Sequence, residues 1–137
     1  LAVVGDRFVP RRTWIALAVG ALAFAGWPLY AWMSASDGST ASVVTAHAIT
    51  FALLAVPLGS GPALFVEMFP ESDRLSGYSV AFNLGLGVVG GLTPMIATSL
   101  IATTDVVTAP ALYMALAGGT AVITLALIPD RSRSPLR

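Results

Sequence analysis

An all-α membrane protein with four transmembrane helices is the fold class this sequence predicts, and three observations carry the prediction. The 137-residue chain is 56% hydrophobic and only 10% charged, with a mean hydropathy of +0.84, so it lacks the polar surface that a soluble domain of this size needs. Its few charges divide it into four apolar stretches, each long enough for the roughly 20 residues that cross about 30 Å of hydrocarbon. None of the four contains Asp, Glu, Lys or Arg, as the high cost of charge in lipid demands. They are continuous runs and not alternating segments of about ten residues, which sets aside an outer-membrane barrel.

The elements follow in order. Residues 1–12 open with "LAVVG", apolar but far too short to span and without the layout of a signal peptide. This stretch reads as the tail of an earlier helix followed by a charged loop, so the chain is expected to be the end of a longer protein. Spans are expected at residues 13–33, 46–66, 78–102 and 108–128, with residues 129–137 as a polar tail. Trp27, Tyr30 and Trp32 sit near the far end of the first span, where amphipathic rings favour the headgroup level.

Orientation comes from arginine. Arg7, Arg11 and Arg12 precede the first span, Arg74 lies between the second and third, and Arg131, Arg133 and Arg137 follow the fourth. The other two loops hold Asp37 and Asp105 and no basic residue. Short cytoplasmic loops carry excess positive charge, so both ends are expected in the cytoplasm, the chain crossing the inner (plasma) membrane several times. Residues 67–76 form the short turn by which the chain re-enters the bilayer.

The same inventory excludes several functions. Net charge is zero and lysine is absent, so the basic stripe of a nucleic-acid binder is missing. With no cysteine and a single histidine, His47, no disulfide framework, thiolate metal site or catalytic triad can be assembled. No enzyme activity, cofactor or metal is expected. Histidine as a residue type can relay protons, but no carboxylate is expected at the depth of His47, and a satisfied interfacial histidine is the better reading.

Within the spans, the informative residues break helix rules. "AVPLGSGPALF" places Pro57, Gly59, Gly61 and Pro62 within six positions, removing amide donors in mid-membrane, so the second span is expected to bend or unwind there. Irregular backbone at that depth belongs against protein or a wet cavity. In the third span, Gly77, Ala81 and Gly85 form one i, i+4 row and Gly87 with Gly91 a GxxxG pair, expected to pack closely on neighbouring helices of the same chain. Pro94 adds an expected bend. Asn83, an amide inside a span, needs partners, most simply an interhelical hydrogen bond.

The segment "VEMFPESDRLSGYSVAFNLGLGVVGGLTPMIATSLI" resembles the region joining helices ten and eleven in the metabolite:proton symporter branch of the major facilitator superfamily, which includes proline/betaine, citrate, α-ketoglutarate and shikimate transporters. Glu67, Phe69, Pro70, Arg74, Ser76, Gly77, Asn83, Gly90, Gly91 and Pro94 carry the resemblance. "GDRFVPRR" is similar to the superfamily's loop between helices eight and nine, through Asp6, Arg7, Arg11 and Arg12, although the usual Gly is absent and the spacing is one residue longer. The resemblance implies helices nine to twelve of a proton-coupled symporter of about twelve helices, moving a small organic acid or zwitterion by alternating access. Its partners would be the lipid bilayer, the transporter's N-terminal helices, an organic solute and protons. It implies a cytoplasmic gate built from Asp6, Arg7, Arg11, Arg12, Glu67 and Arg74, and places Phe51, Ser60 and Asn83 as possible cavity-lining residues. The residues alone also fit a small four-helix protein with a structural or oligomeric role, or an inactive truncated transporter.

Overall fold

The computed structural model describes residues 9–128. Four helical spans, each long and apolar enough to cross a membrane, make the chain a multi-pass membrane protein. They are α1 (Arg11–Ala35), α2 (Thr40–Val66), a composite third span (Arg74–Thr104) and α5 (Ala109–Leu127). The third span divides into α3 (Arg74–Phe82), a π-helical segment (Asn83–Gly90) and α4 (Gly91–Thr104).

A helix lies at each expected span: the first and third run past the apolar stretch at both ends, α2 extends it at its start, and α5 falls one residue inside it at each end. Caps and turns explain where they stop. Ser39 starts α2 six residues before the apolar run, its Oγ accepting from the Ser42 amide at 3.4 Å, the usual satisfaction of a free first-turn donor. Pro110 sits in the first turn of α5, where its missing amide costs nothing. The two turns at the far end close on residues with positive φ: Asp37 (49°) with Gly38 (63°), and Asp105 (53°). Asp tolerates this left-handed conformation better than most side chains. The two far-end carboxylates are therefore placed by turn geometry.

Packing is uneven. α1 is the central helix, lying along α2 on one side and α5 on the other; α4 leans on α5, and α3 touches only the end of α2 and the π segment. At the α1–α5 seam a Cβ added to Gly118 would lie 2.6 Å from the Ala23 Cβ and 3.4 Å from the Val19 carbonyl oxygen, so the backbones meet at a distance only glycine permits. Ile15, Leu64 and Leu125 form the core where α1, α2 and α5 converge, with Ala16 and Val19 against it. The third span has no buried residue anywhere along it.

The expectation of unwound backbone in α2 is corrected. α2 does not unwind: it stays α-helical through both Pro57 and Pro62. Each proline deprives one carbonyl, Leu53 or Leu58, of its i+4 donor, but Val56, Ser60, Gly61 and Leu64 are buried on the face toward the bundle, and that packing holds the helix. The irregular backbone falls instead at Asn83–Gly90.

Candidate functional site at the arginine-bearing end

The alternation of four spans brings the start of α1, the end of α2, the start of α3 and the end of α5 to one end of the bundle. The charged side chains of the described residues gather there, apart from Asp37 and Asp105. Arg11 and Arg12 lie in the first turn of α1, not ahead of it, behind an N-cap, Pro10, that offers no side-chain hydrogen bond. Glu67 is the C-cap of α2. Both charges have the wrong sign for their own helix, since a helix N-terminus carries positive partial charge and a C-terminus negative.

They face each other. Arg11 Nη1 donates to Glu67 Oε1 at 2.6 Å, with the two side chains 21% and 20% exposed. A hydrogen bond between charged groups contributes about 1.5–3 kcal/mol, while each mismatch with a helix dipole costs about 0.3–1 kcal/mol. The net is a modest contribution, on the order of 1 kcal/mol, tying α1 to α2. Arg12 Nη1 donates to the Ile128 carbonyl oxygen at 2.6 Å, a cation on one of the unpaired carbonyls at the end of α5. The two adjacent arginines thus hold α2 and α5 to either side of α1.

The cluster is incompletely satisfied. Glu67 Oε2, Arg74 Nε and the indole Nε1 of Trp14, one turn inward from Arg11, are buried without hydrogen-bond partners among the described residues. Arg74, half-buried, forms no ion pair among them. Asp6 and Arg7, expected in the same cluster, lie outside the described residues. Beside the charges, the Phe69 ring covers Gly77, where an added Cβ would meet Phe69 carbons at 2.5 and 2.6 Å. Between Phe65, Phe69, Tyr78 and Phe82 runs an apolar cleft of about 360 Å³.

The residues expected to line a cavity are not brought together. Phe51 is 63% exposed, Ser60 only 4%, and nine residues at about 100° each place them on opposite faces of α2. Asn83 is exposed, its Nδ2 donating to the Ser79 carbonyl at 2.8 Å in its own helix, which replaces the expected interhelical bond. Hydroxyls of Thr45, Thr50, Thr98, Thr103 and Thr124 likewise bond the preceding turn, which is how apolar spans tolerate them. Ser60 is the buried exception, its Oγ without a partner among the described residues. His47 is exposed, its Nδ1 2.8 Å from the Val43 carbonyl and its ring tilted against Phe51.

The small-residue rows also need correction. Gly85, Gly87 and Gly91 have open space where a Cβ would stand and Ala81 is exposed, so of the expected packing positions only Gly77 meets a neighbour of its own chain. Spacing identified a face; nothing in the described residues covers it. A close backbone approach between helices, at Gly118 against α1, was missed because an isolated "AGG" in an apolar run carries no periodic signal.

No family profile matches the chain, and no solved structure matches it. Curated relatives do. The ectoine/proline transporter of Corynebacterium glutamicum is 30% identical over 92 aligned positions, 64% of this chain and 18% of the relative. Citrate-proton symporters of Salmonella typhi and Klebsiella pneumoniae are 28% and 29% identical over 81% and 98% of this chain, which are 25% and 30% of those proteins. The chain thus spans less than a third of the length of the curated relatives it matches, and all three carry the names of transporters. Motif and homology agree: this chain is similar to major facilitator superfamily transporters of the metabolite:proton symporter branch.

Proposed function

We propose that the chain is the C-terminal third of a secondary active transporter, its four spans corresponding to helices nine to twelve, and that the transporter couples uptake of a small organic acid or zwitterion to protons by alternating access. Relatives of both substrate kinds, citrate on one side and ectoine or proline on the other, match the same stretch. In this reading the arginine-bearing end faces the cytoplasm of the inner membrane, as the distribution of arginine favours. The N-terminal helices complete the fold and carry the groups that neutralise substrate and move the coupling proton.

The observation that carries the reading into mechanism is the Arg11–Glu67 pair. Neither charge suits its own helix end, so the contact between them and not either helix accounts for their placement, and a contact of modest net strength between two helix ends can be made and broken in a cycle. We assign it as a latch across the cytoplasmic side, closed when the cavity faces outward and broken when it faces inward. A contribution on the order of 1 kcal/mol shifts a two-state ratio about fivefold, enough to bias the cycle without freezing it.

Proteoliposomes containing the full-length transporter test the function. With an inward proton gradient, labelled citrate, proline or ectoine is expected to accumulate, and a protonophore is expected to abolish the accumulation. Equal uptake with and without the gradient would remove proton coupling; no uptake of any of the three, from protein shown to be folded, would remove the substrate classes proposed.

A further inference from the structure

The π segment lies between two anchors. On its near side α3 is held to the end of α2, where the Phe69 ring covers Gly77. On its far side α4 rests on α5, with the Thr93 and Tyr113 hydroxyls 3.5 Å apart. Among the described residues the backbone of Asn83–Gly90 approaches only the flanking α3 and α4, Gly85 and Leu86 edge the cleft that Phe65 and Phe69 line, and all eight of its residues are exposed. Three are glycines, Gly85, Gly87 and Gly90, which favour no single helical geometry strongly.

Its hydrogen bonding is loose at both boundaries. The Asn83 side chain adds a second donor to the Ser79 carbonyl, which also receives the Asn83 amide. Downstream, Pro94 has no amide to give, so the Gly90 carbonyl lacks its α-type donor and the Val89 carbonyl its π-type donor. Thr93 Oγ1 supplies Val89 instead, at 3.3 Å. A π turn bonds i to i+5 where an α turn bonds i to i+4, so the proline leaves neither pattern a full complement at this point.

We propose that Asn83–Gly90 is a rotary joint: by exchanging one π turn for an α turn, it changes the register of α3 against α4 by one residue, about 100° of rotation and 1.5 Å of advance. The joint lets the arginine-bearing end of the bundle, α3 with the end of α2, reorient while the α4–α5 contact stays intact. This rests on the transporter reading, in which that end must open and close.

The test uses the full-length transporter in lipid nanodiscs, with spin labels at two pairs of exposed positions. Leu75→Cys with Ser99→Cys reports α3 against α4, and Ser99→Cys with Leu116→Cys reports α4 against α5; this chain has no cysteine of its own to interfere. Distances are measured with and without citrate, and with and without proline. The first pair is expected to show two populations differing by up to about 8 Å, the chord of a 100° turn at side-chain radius, with the second pair constant. Deleting Val88 removes the extra residue and is expected to leave one population. A single α3–α4 distance in the unmodified protein under all conditions overturns the joint, as do two populations that persist after Val88 is deleted. Uptake is read separately: folded protein with two populations but no uptake refutes the transport reading and spares the joint.

Discussion

The α1–α5 seam and the middle of the third span both rely on glycine, to different ends. At the seam, Gly118 lets two backbones approach so closely that an added Cβ would stand 2.6 Å from Ala23. In the third span, Gly85, Gly87 and Gly91 touch nothing, and the backbone around them leaves α geometry. One glycine acts through contact and the others through freedom of the chain. The comparison teaches that a glycine row in an apolar helix is not by itself evidence of a packed face: what covers the row decides which use applies.

The largest expected effect tests the seam. Gly118→Val drives branched methyls into Ala23 and the Val19 carbonyl, and overpacking of this kind costs about 1–3 kcal/mol; a value near the upper end is expected because backbone atoms, not a flexible side-chain end, lie in the way. Equilibrium unfolding in mixed micelles measures it. Gly26→Ala gives the control at the same seam: its Cβ meets the Met114 methyl at Cε, the end of a flexible chain, and the cost is expected to stay below about 1 kcal/mol.

Next in size is the arginine-bearing end. Glu67→Gln keeps the shape of the side chain and removes its charge, and is expected to raise the open-to-closed ratio about fivefold, or ~1 kcal/mol, read as maleimide reactivity of Ala16→Cys, a position packed against the Ile15, Leu64 and Leu125 core while the pair is closed. The smallest effect belongs to the third span. Gly85→Ala and Gly91→Ala meet no atom and are expected to leave stability unchanged or raise it by up to about 1 kcal/mol through helix propensity. A loss of 2 kcal/mol or more at either position in the full-length protein would show that a helix covers that face, and would turn the comparison into one of two packed seams.

How much of this was legible in the sequence depends on what each feature leaves there. The four spans were readable because charge is excluded from them, a signal independent of packing. Segregation of arginine foretold that Arg11, Arg12 and Glu67 would share one end, and they do. The Arg12 bond to the Ile128 carbonyl had no sequence signal, since every residue carries a carbonyl. The π segment was invisible because an all-round apolar helix has no polar face from which a change of period could be read. Proline density pointed to α2 as the irregular span, whereas the interruption lies where no other helix among the described residues packs closely on the backbone. Proline weakens a helix, and neighbours decide whether it yields.

The central claim is that Arg11 and Glu67, each misplaced on its own helix, are placed for each other. The most direct measurement is the charge exchange Arg11→Glu with Glu67→Arg in the full-length protein, scored by maleimide reactivity of Ala16→Cys against both single variants. The account predicts that each single variant raises reactivity and that the exchange returns it to the original level or below, because the pair is restored and both charges now agree with their helix dipoles. Reactivity in the exchange variant as high as in the single variants would contradict it, and would leave the two charges as separate loop anchors.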